Sequence, residues 1–233
     1  MRDARACRVA LCVFPVPRDR SASCTESTGG KMAEAGLTCE SVRKEFGGVC
    51  AIDDISISFV PGKVTALIGP NGAGKTTLFH LLAGALRLDA GEVRFHGQRI
   101  DGLPSWRVAR MGIGRLFQDV RVFGKLTVLE NVLVSPQGQK GENLVFAALF
   151  PGLVRRQESE NAERAMDHLR FVGLESKAGA RAHELSYGQQ KLLAIARLLA
   201  SHAEVMLLDE PTAGVAPQMI SSLLAVIRKL ANE

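Results

Sequence analysis

The stretch Gly69-Pro70-Asn71-Gly72-Ala73-Gly74-Lys75-Thr76 decides how this sequence folds. It fits the phosphate-binding pattern G-x-x-x-x-G-K-[ST] in full, and that pattern is specific when a strand precedes it and a helix follows it. The apolar run 64–68 comes directly before it, and leucines at helical spacing follow at positions 78, 81, 82 and 86. Strand, glycine-rich loop and helix in this order predict a P-loop core within an α/β fold.

The residue types in this stretch suit a bound phosphate. Glycines let the backbone curl so that successive N–H groups point at an anion, and the helix that follows adds the partial positive charge of its N-terminus. Lys75 supplies a mobile ammonium, and the Thr76 hydroxyl is a hard oxygen ligand suited to Mg²⁺. A plain glycine-rich turn is the alternative, but a turn needs no Lys-Thr pair at this offset. The predicted nucleotide-binding residues are Gly69, Pro70, Asn71, Gly72, Ala73, Gly74, Lys75, Thr76 and Thr77.

A second motif lies near the end of the chain. The continuous apolar run 205–208 has the character of a strand buried on both faces, and it ends in Asp209 and Glu210. Asp209 is placed to hold Mg²⁺ through oxygen, and Glu210 to point at an attacking water. By themselves the two carboxylates would fit an ordinary turn at a strand end. Together with the phosphate loop they predict hydrolysis as well as binding.

Composition excludes several classes of protein. Hydrophobic residues make up 46% of the 233 residues and charged residues 23%, a balance typical of a folded soluble protein. The formal net charge is +5, but no dense block of Lys and Arg occurs, so nucleic acid is not a predicted partner. The five cysteines lack C-x-x-C spacing, which favours reduced thiols. The longest apolar run, 144–154, contains Pro151 and is too short to span a membrane.

The pattern along the chain divides it into parts. Residues 1–31 contain two prolines close together, scattered arginines and a Ser/Thr/Gly stretch, which predict a disordered N-terminal extension, and 32–233 form the domain. Short strands are predicted first, including an antiparallel ribbon over 52–60, and a helical subdomain at about 119–190 follows. The predicted strands are 37–42, 52–60, 64–68, 92–96, 112–117 and 205–208; the predicted helices are 126–134, 144–150, 155–171, 188–200 and 218–230.

One further motif narrows the class. Leu185-Ser186-Tyr187-Gly188-Gln189-Gln190 precedes a predicted helix, and it follows the phosphate loop and an isolated Gln118 and comes before the acidic strand end. From Leu37 onward this order resembles the ATP-binding-cassette (ABC) family. The resemblance implies a P-loop core with an antiparallel β subdomain and a helical insert. It also implies ATP with Mg²⁺ as cofactors, and two chains that sandwich two ATP molecules head to tail.

The resemblance assigns a role to each matching residue. Ser186, Gly188 and Gln189 would contact the nucleotide bound to the opposing chain, although a Ser-x-Gly segment is also a simple helix N-cap. Phe46 would stack on adenine, although a lone aromatic after a strand also serves in packing. The metal set would be Thr76, Gln118 and Asp209, with Gln118 sensing metal and water and Glu210 acting as the general base.

Details of sequence narrow the resemblance further. The segments 117–123 and 126–132, together with Tyr187 and 211–214, look most like ATPase subunits of bacterial importers for branched-chain or hydrophobic amino acids. This implies transmembrane permease subunits and a second, identical or similar ABC ATPase as partners, with a solute-binding protein acting indirectly. It also implies a cytoplasmic protein that is peripheral on the inner face of the cell membrane.

Two departures from the family pattern stand beside these matches. Ala216 occupies a position where the family usually has an acidic or amide residue. Family members also continue into a strand that ends in a histidine, whereas no histidine follows Glu210 here. The expectation is a C-terminally incomplete cassette, without the last strand and histidine loop and with one sheet edge unpaired. The alternatives are a truncated cassette that binds ATP with little hydrolysis, and a non-transport ABC ATPase.

Overall fold

The computed structural model describes residues 8–13, 36–117, 119–139, 141 and 144–232, with the backbone alone for 8–13. Its strands are β1 (Arg8–Val13), β2 (Leu37–Phe46), β3 (Val49–Phe59), β4 (Val64–Gly69), β5 (Ala90–Phe95), β6 (Gln98–Arg99), β7 (Ile113–Leu116) and β8 (Val205–Asp209). Its helices are α1 (Lys75–Leu82), α2 (Ser105–Arg110), α3 (Val128–Leu133), α4 (Leu144–Leu149), α5 (Pro151–Phe171), α6 (Tyr187–Ala200) and α7 (Pro217–Asn232).

The chain divides into two compact units. The first unit comprises Met1–Arg115, Glu204–Pro211 and Ile227–Glu233, and it contains the strands of both sheets except the end of β7. The second unit comprises Leu116–Ala203 and Thr212–Val226, and its helices are α3 to α6 with most of α7. The predicted helical subdomain at about 119–190 lies inside the second unit, which extends beyond it at both ends.

One sheet of the first unit is antiparallel, in the order β3-β2-β5-β6. The predicted ribbon is confirmed, because β2 pairs antiparallel with β3 on one side and with β5 on the other. Side chains in β3 alternate as the sequence predicts, with Ile55 and Ile57 packed against the core and Ser56 and Ser58 exposed. One face of this sheet therefore covers the core, and the other faces solvent.

The other sheet has the order β4-β1-β8-β7, and it corrects one expectation. Strand β1 pairs antiparallel with β4 along one side and with β8 along the other, so the predicted disorder over 1–31 is wrong for Arg8–Val13. The physical reason is that strand N–H and C=O groups need partners, and the apolar run 9–13 can supply them. Strand β1 supplies partners only to the sides of β4 and β8 that face it, and among the described residues β4 and β7 remain the edge strands, so the expected unpaired edge stays a prediction.

The core of the first unit is built around β8 and α1. Every residue of β8 is buried, which confirms the predicted strand that is apolar on both faces. Leu78, Phe79, Leu81 and Leu82 on α1 are buried as their helical spacing predicts. They belong to one hydrophobic cluster with residues of the antiparallel sheet, among them Leu37, Phe59 and Phe95. This cluster supports the loop between β4 and α1.

In the second unit, residues at the helix N-termini determine where the helices begin. Helix α3 begins at Val128 because Thr127 caps it: the Thr127 hydroxyl accepts from the Glu130 N–H, and the Glu130 carboxylate accepts from the Thr127 N–H. Helix α5 begins four residues earlier than predicted, since proline is well placed in the first turn of a helix.

Helix α2 of the first unit was not predicted, because six residues give too short a periodic pattern. Among the described residues, no helix is both long and apolar enough to cross a membrane.

Candidate functional site

The phosphate loop has the backbone that its glycines predict. Gly72 and Gly74 have φ of 81° and 78°, in the left-handed region that disfavours other residues. A Cβ atom on Gly74 would overlap the carbonyl oxygen of Ala51 in β3, so the residue is required by space as well as by conformation. Helix α1 starts directly after Gly74. Its N-terminal N–H groups therefore lie at the loop, in the arrangement that binds anions.

Lys75 is held by the loop itself. Its ammonium Nζ donates to the carbonyl oxygens of Gly69, at 2.8 Å, and Pro70, at 2.7 Å. These contacts keep the charge over the concave side of the loop, where the sequence predicts the outer phosphates. The carbonyls compensate the ammonium in the present form, and a phosphate is a stronger partner for it.

The loop and the acidic strand meet at one point. The Thr76 hydroxyl donates to Oδ1 of Asp209 at 3.3 Å, across 133 residues of sequence. Although β1 lies between β4 and β8, the two side chains that the sequence assigns to Mg²⁺ are in contact. Hydroxyl and carboxylate oxygens are the donors that Mg²⁺ takes in proteins, so the residues fit this metal. Within the described part of the chain no group of three or more His, Cys, Asp or Glu side chains forms a metal cluster.

A residue that sequence reasoning missed completes this contact. Arg115 in β7 donates from Nη2 to Oδ2 of Asp209 at 3.3 Å, and both side chains are buried. Burial lowers the pKa of Arg115, and the charge of Asp209 and its hydrogen bond act in the opposite direction. The pKa of His80 on α1 is also lowered, first by burial and then by the charge of Arg115, with Asp209 opposing. An arginine in a strand predicted to be buried was the signal available, since such a charge needs a partner.

Glu210 has an unusual backbone. Its φ is 46°, in the left-handed region that non-glycine residues rarely adopt, and the residue is only 9% exposed. Such a conformation costs about 1–3 kcal/mol and occurs preferentially at functional sites. The strain follows Asp209 directly, at the point where β8 ends. This conformation fits a functional role for the carboxylate, and that role stays a prediction beside an ordinary turn at the strand end.

Phe46 is presented to solvent near the phosphate loop. It closes the β2–β3 hairpin opposite Val49, and its ring is 46% exposed, with the Lys44 ammonium 5.3 Å from the ring centroid. Ala51 of the same hairpin contacts the loop at Gly74. An exposed aromatic face at this place can accept a stacked base, and the stacking role of Phe46 stays a prediction beside packing at the edge of the sheet.

The Leu185–Gln190 motif forms the start of α6 in the second unit. Ser186 is the N-cap: its hydroxyl accepts from the Gln189 N–H at 3.3 Å, and Oε1 of Gln189 accepts from the Ser186 N–H at 3.0 Å. The alternative interpretation as a helix cap is thus confirmed. A Cβ on Gly188 would lie 3.1 Å from side-chain atoms of Val215 and Met219, so glycine permits close packing there. Gln118 lies outside the described residues.

Comparison with known proteins decides the family. The family model described as "ABC transporter" matches residues 52–213, which is more than half of the chain. The chain belongs to the ABC transporter family. LivG of Escherichia coli strain K12 is 38% identical over 201 residues, which are 86% of this cassette and 79% of LivG. BraF of Pseudomonas aeruginosa is 38% identical over 197 residues, 84% of this cassette and 77% of BraF. Both relatives are named high-affinity branched-chain amino acid transport ATP-binding proteins.

Solved structures confirm the fold of this cassette. A nucleotide-free ATP-binding cassette from an ABC transporter has a TM-score of 0.68 at 32% identity, covering 84% of this chain and 77% of that one. The ADP conformation of MJ1267, also an ABC transporter cassette, has a TM-score of 0.66 at 32% identity and the same coverage. The predicted resemblance and fold class are therefore confirmed, and the protein is an ABC-type ATPase.

Proposed function

We propose that this cassette binds ATP together with Mg²⁺ and hydrolyses it as the ATPase subunit of an importer for branched-chain or other hydrophobic amino acids. The observation that carries the proposal is the contact between Thr76 and Asp209, because it joins the phosphate loop to the acidic strand at one point. The identity to LivG and BraF supports the class of transported solute.

Each predicted site residue of the first unit has a role in this proposal. Residues 69–77 surround the phosphates, Lys75 moves from the loop carbonyls to the outer phosphates, and Thr76 and Asp209 hold the metal. Bound Mg²⁺ neutralises charge on the phosphates and so favours attack by water. Glu210 accepts the proton of that water, and Phe46 stacks on the adenine. The role of Gln118, to sense metal and water, stays a prediction.

The start of α6 is proposed to act on a second molecule. Ser186, Gly188 and Gln189 would contact ATP held by an opposing cassette, since the cap leaves the helix N-terminus as a site of partial positive charge. The dimeric cassette MJ0796 has a TM-score of 0.63 with 84% of this chain, and at 23% identity it shows the shared fold alone. We propose that two chains, identical or similar, form the complete site, because Ser186, Gly188 and Gln189 are assigned to ATP held by the opposing cassette.

The helical unit is the proposed contact with membrane subunits. Leu144, Val145 and Leu149 on α4 are exposed, Leu144 at 85%, and Phe150 and Leu153, which follow closely in sequence, are exposed as well. Clustered apolar side chains at a surface are typical of an interface with another protein. We assign them to transmembrane permease subunits, which places the cassette at the inner face of the membrane. A solute-binding protein would act through the permease.

The test is Mg²⁺-dependent ATP turnover of the purified chain as a function of protein concentration, with nucleotide binding measured on the same sample. Specific activity that rises with concentration would support a composite site formed by two chains. Lys75→Ala is the matched control, since loss of the ammonium weakens binding. Binding without turnover would favour the binding-only cassette, and co-purification with nucleic acid would favour a non-transport ATPase. Absence of ATP binding would contradict the proposal as a whole.

A further inference from the structure

The two oxygens of the Asp209 carboxylate have different partners. Oδ1 accepts from the Thr76 hydroxyl, and Oδ2 accepts from Nη2 of Arg115, each at 3.3 Å. The side chains of Arg115 and Asp209 are 6% and 2% exposed, so water does not compete for this contact. A charge-assisted hydrogen bond from a guanidinium to one oxygen restricts the orientation of the carboxylate.

This pair is poorly explained by stability alone. Two charges taken out of water lose hydration, and replacing such a pair by apolar residues is often neutral or even stabilising. Burial also works against the charge of Arg115, whose pKa is lowered for that reason. The guanidinium of Arg115 lies in β7 beside Asp209, the last residue of β8, although its burial is unfavourable. This indicates that its role is to fix the orientation of the Asp209 carboxylate.

The orientation of the Asp209 carboxylate determines which of its oxygens lies beside Thr76. With Oδ2 held by Arg115, the oxygen that remains beside Thr76 is Oδ1, and Thr76 is the other residue proposed to hold the metal. Lys75, the basic residue of the phosphate loop, donates to the Gly69 and Pro70 carbonyls, and neither of these bonds includes a carboxylate oxygen. Partners behind a metal ligand orient it, and their loss typically weakens metal binding about 10–100-fold.

We propose that Arg115 is a positioning residue that fixes Asp209 so that Oδ1, the oxygen beside Thr76, accepts Mg²⁺ together with the nucleotide; this inference rests on the proposed function. Arg115 is assigned no direct contact with the nucleotide or the attacking water. Its effect is confined to the metal, so nucleotide binding in the absence of metal does not depend on it. That separation distinguishes a positioning role from a general contribution to folding.

The experiment compares Arg115→Gln and Arg115→Lys with the unchanged chain. Nucleotide affinity is measured in EDTA and across a Mg²⁺ series, and the electron paramagnetic resonance spectrum of Mn²⁺ is recorded with ADP as a probe of metal ligation. We expect the metal concentration for half-saturation to rise about tenfold or more in Arg115→Gln, and less in Arg115→Lys. In EDTA the affinity should stay within about twofold, because the phosphate loop is intact. Arg110→Gln is the matched control, since Arg110 is an exposed arginine of the same unit.

Two results would overturn the inference: an unchanged metal dependence in both variants, or equal losses of affinity with and without metal. Thermal unfolding identifies any variant that fails to fold, and Arg115→Lys, which keeps the charge, then decides the question. Failure of the proposed function looks different, because the unchanged chain would then bind no nucleotide under either condition.

Discussion

The ammonium of Lys191, fully buried in α6, donates a hydrogen bond to the carbonyl oxygen of Ala213 at 2.7 Å. Both residues belong to the second unit, and Ala213 lies in the loop that follows the acidic pair. The same ammonium lies 5.1 Å from the centroid of the Tyr187 ring, and a Cβ on Gly214 would lie 3.1 Å from that ring. The first turns of α6 therefore hold the 212–215 loop in place.

Replacing Lys191 should loosen that loop. Lys191→Met keeps much of the volume but removes the donor, and a buried carbonyl without its donor costs about 1–3 kcal/mol. We expect the free energy of unfolding, measured by chemical denaturation, to fall by that amount. Lys177→Met is the control, because Lys177 is exposed in the same unit, and its effect should stay within about 0.5 kcal/mol. Equal stabilities of the two variants would remove the structural role of Lys191.

Gly74→Ala and Gly72→Ala separate conformation from space in the phosphate loop. Both positions have positive φ, which costs an alanine about 1–2 kcal/mol. At Gly72 no atom lies within 4 Å of an added Cβ, whereas at Gly74 the Ala51 carbonyl is in the way. We expect Gly74→Ala to be the less stable variant by thermal unfolding and to lose nucleotide binding. Similar melting temperatures for both would show that the loop can move away from β3.

Glu210→Gln should retain ATP while hydrolysing it slowly. The amide cannot accept a proton from water, and loss of a general base typically lowers the rate about 10²–10⁴-fold. Turnover and ATP affinity are measured on the same preparation, with Glu184→Gln, an exposed change in the other unit, as the control. Unchanged turnover in Glu210→Gln would exclude Glu210 as the base.

Comparing Ser186→Arg with Ser186→Ala should distinguish the capping of α6 from the proposed contact with a second chain. Both Ser186→Ala and Ser186→Arg remove the cap, at a cost of about 0.5–2 kcal/mol. Only the arginine adds bulk at the helix N-terminus, so only this variant should abolish the dependence of turnover on protein concentration. ATP binding by isolated chains should remain in both variants. If Ser186→Arg prevented that binding, the proposed role across two chains would be wrong.

Glu130 should make the free energy of unfolding depend on pH in the acidic range. The Thr127 N–H donates to its carboxylate at 2.7 Å, and this bond, with that of the Thr127 hydroxyl, lowers the pKa of Glu130 below its ordinary value of 4.5. A lowered pKa in the folded state means that the stabilisation is complete above the ordinary value and is lost as pH falls through the lowered one. Glu130→Gln keeps an acceptor for the cap but does not titrate.

The measurement is the free energy of unfolding of both proteins between about pH 3 and pH 6, a range that includes the ordinary pKa of glutamate. We expect the unchanged chain to lose stability relative to Glu130→Gln as the pH falls below that value. Parallel curves over the whole range would show that the carboxylate contributes nothing that its amide does not.

Local pattern accounts for most of what could be predicted. The phosphate loop, α1 and the buried character of β8 follow from periodicity and from glycines at fixed offsets, which depend on neighbouring residues alone. The ends of α3 and α6 were predicted to within two residues, because Thr127 and Ser186 act as caps on their own first turns. Short elements such as α2 escaped prediction, since six residues carry little periodicity.

The sequence by itself determined which residues carry the phosphate-binding pattern, which carboxylates follow the buried strand, and which family the order of motifs resembles. The tertiary structure decided the partnerships, such as Arg115 with Asp209, Lys191 with Ala213, and β1 between β4 and β8. The physical reason is distance along the chain. A cap or a loop is satisfied within a few residues, whereas a buried charge or an open strand edge finds its partner only where the fold brings remote segments together.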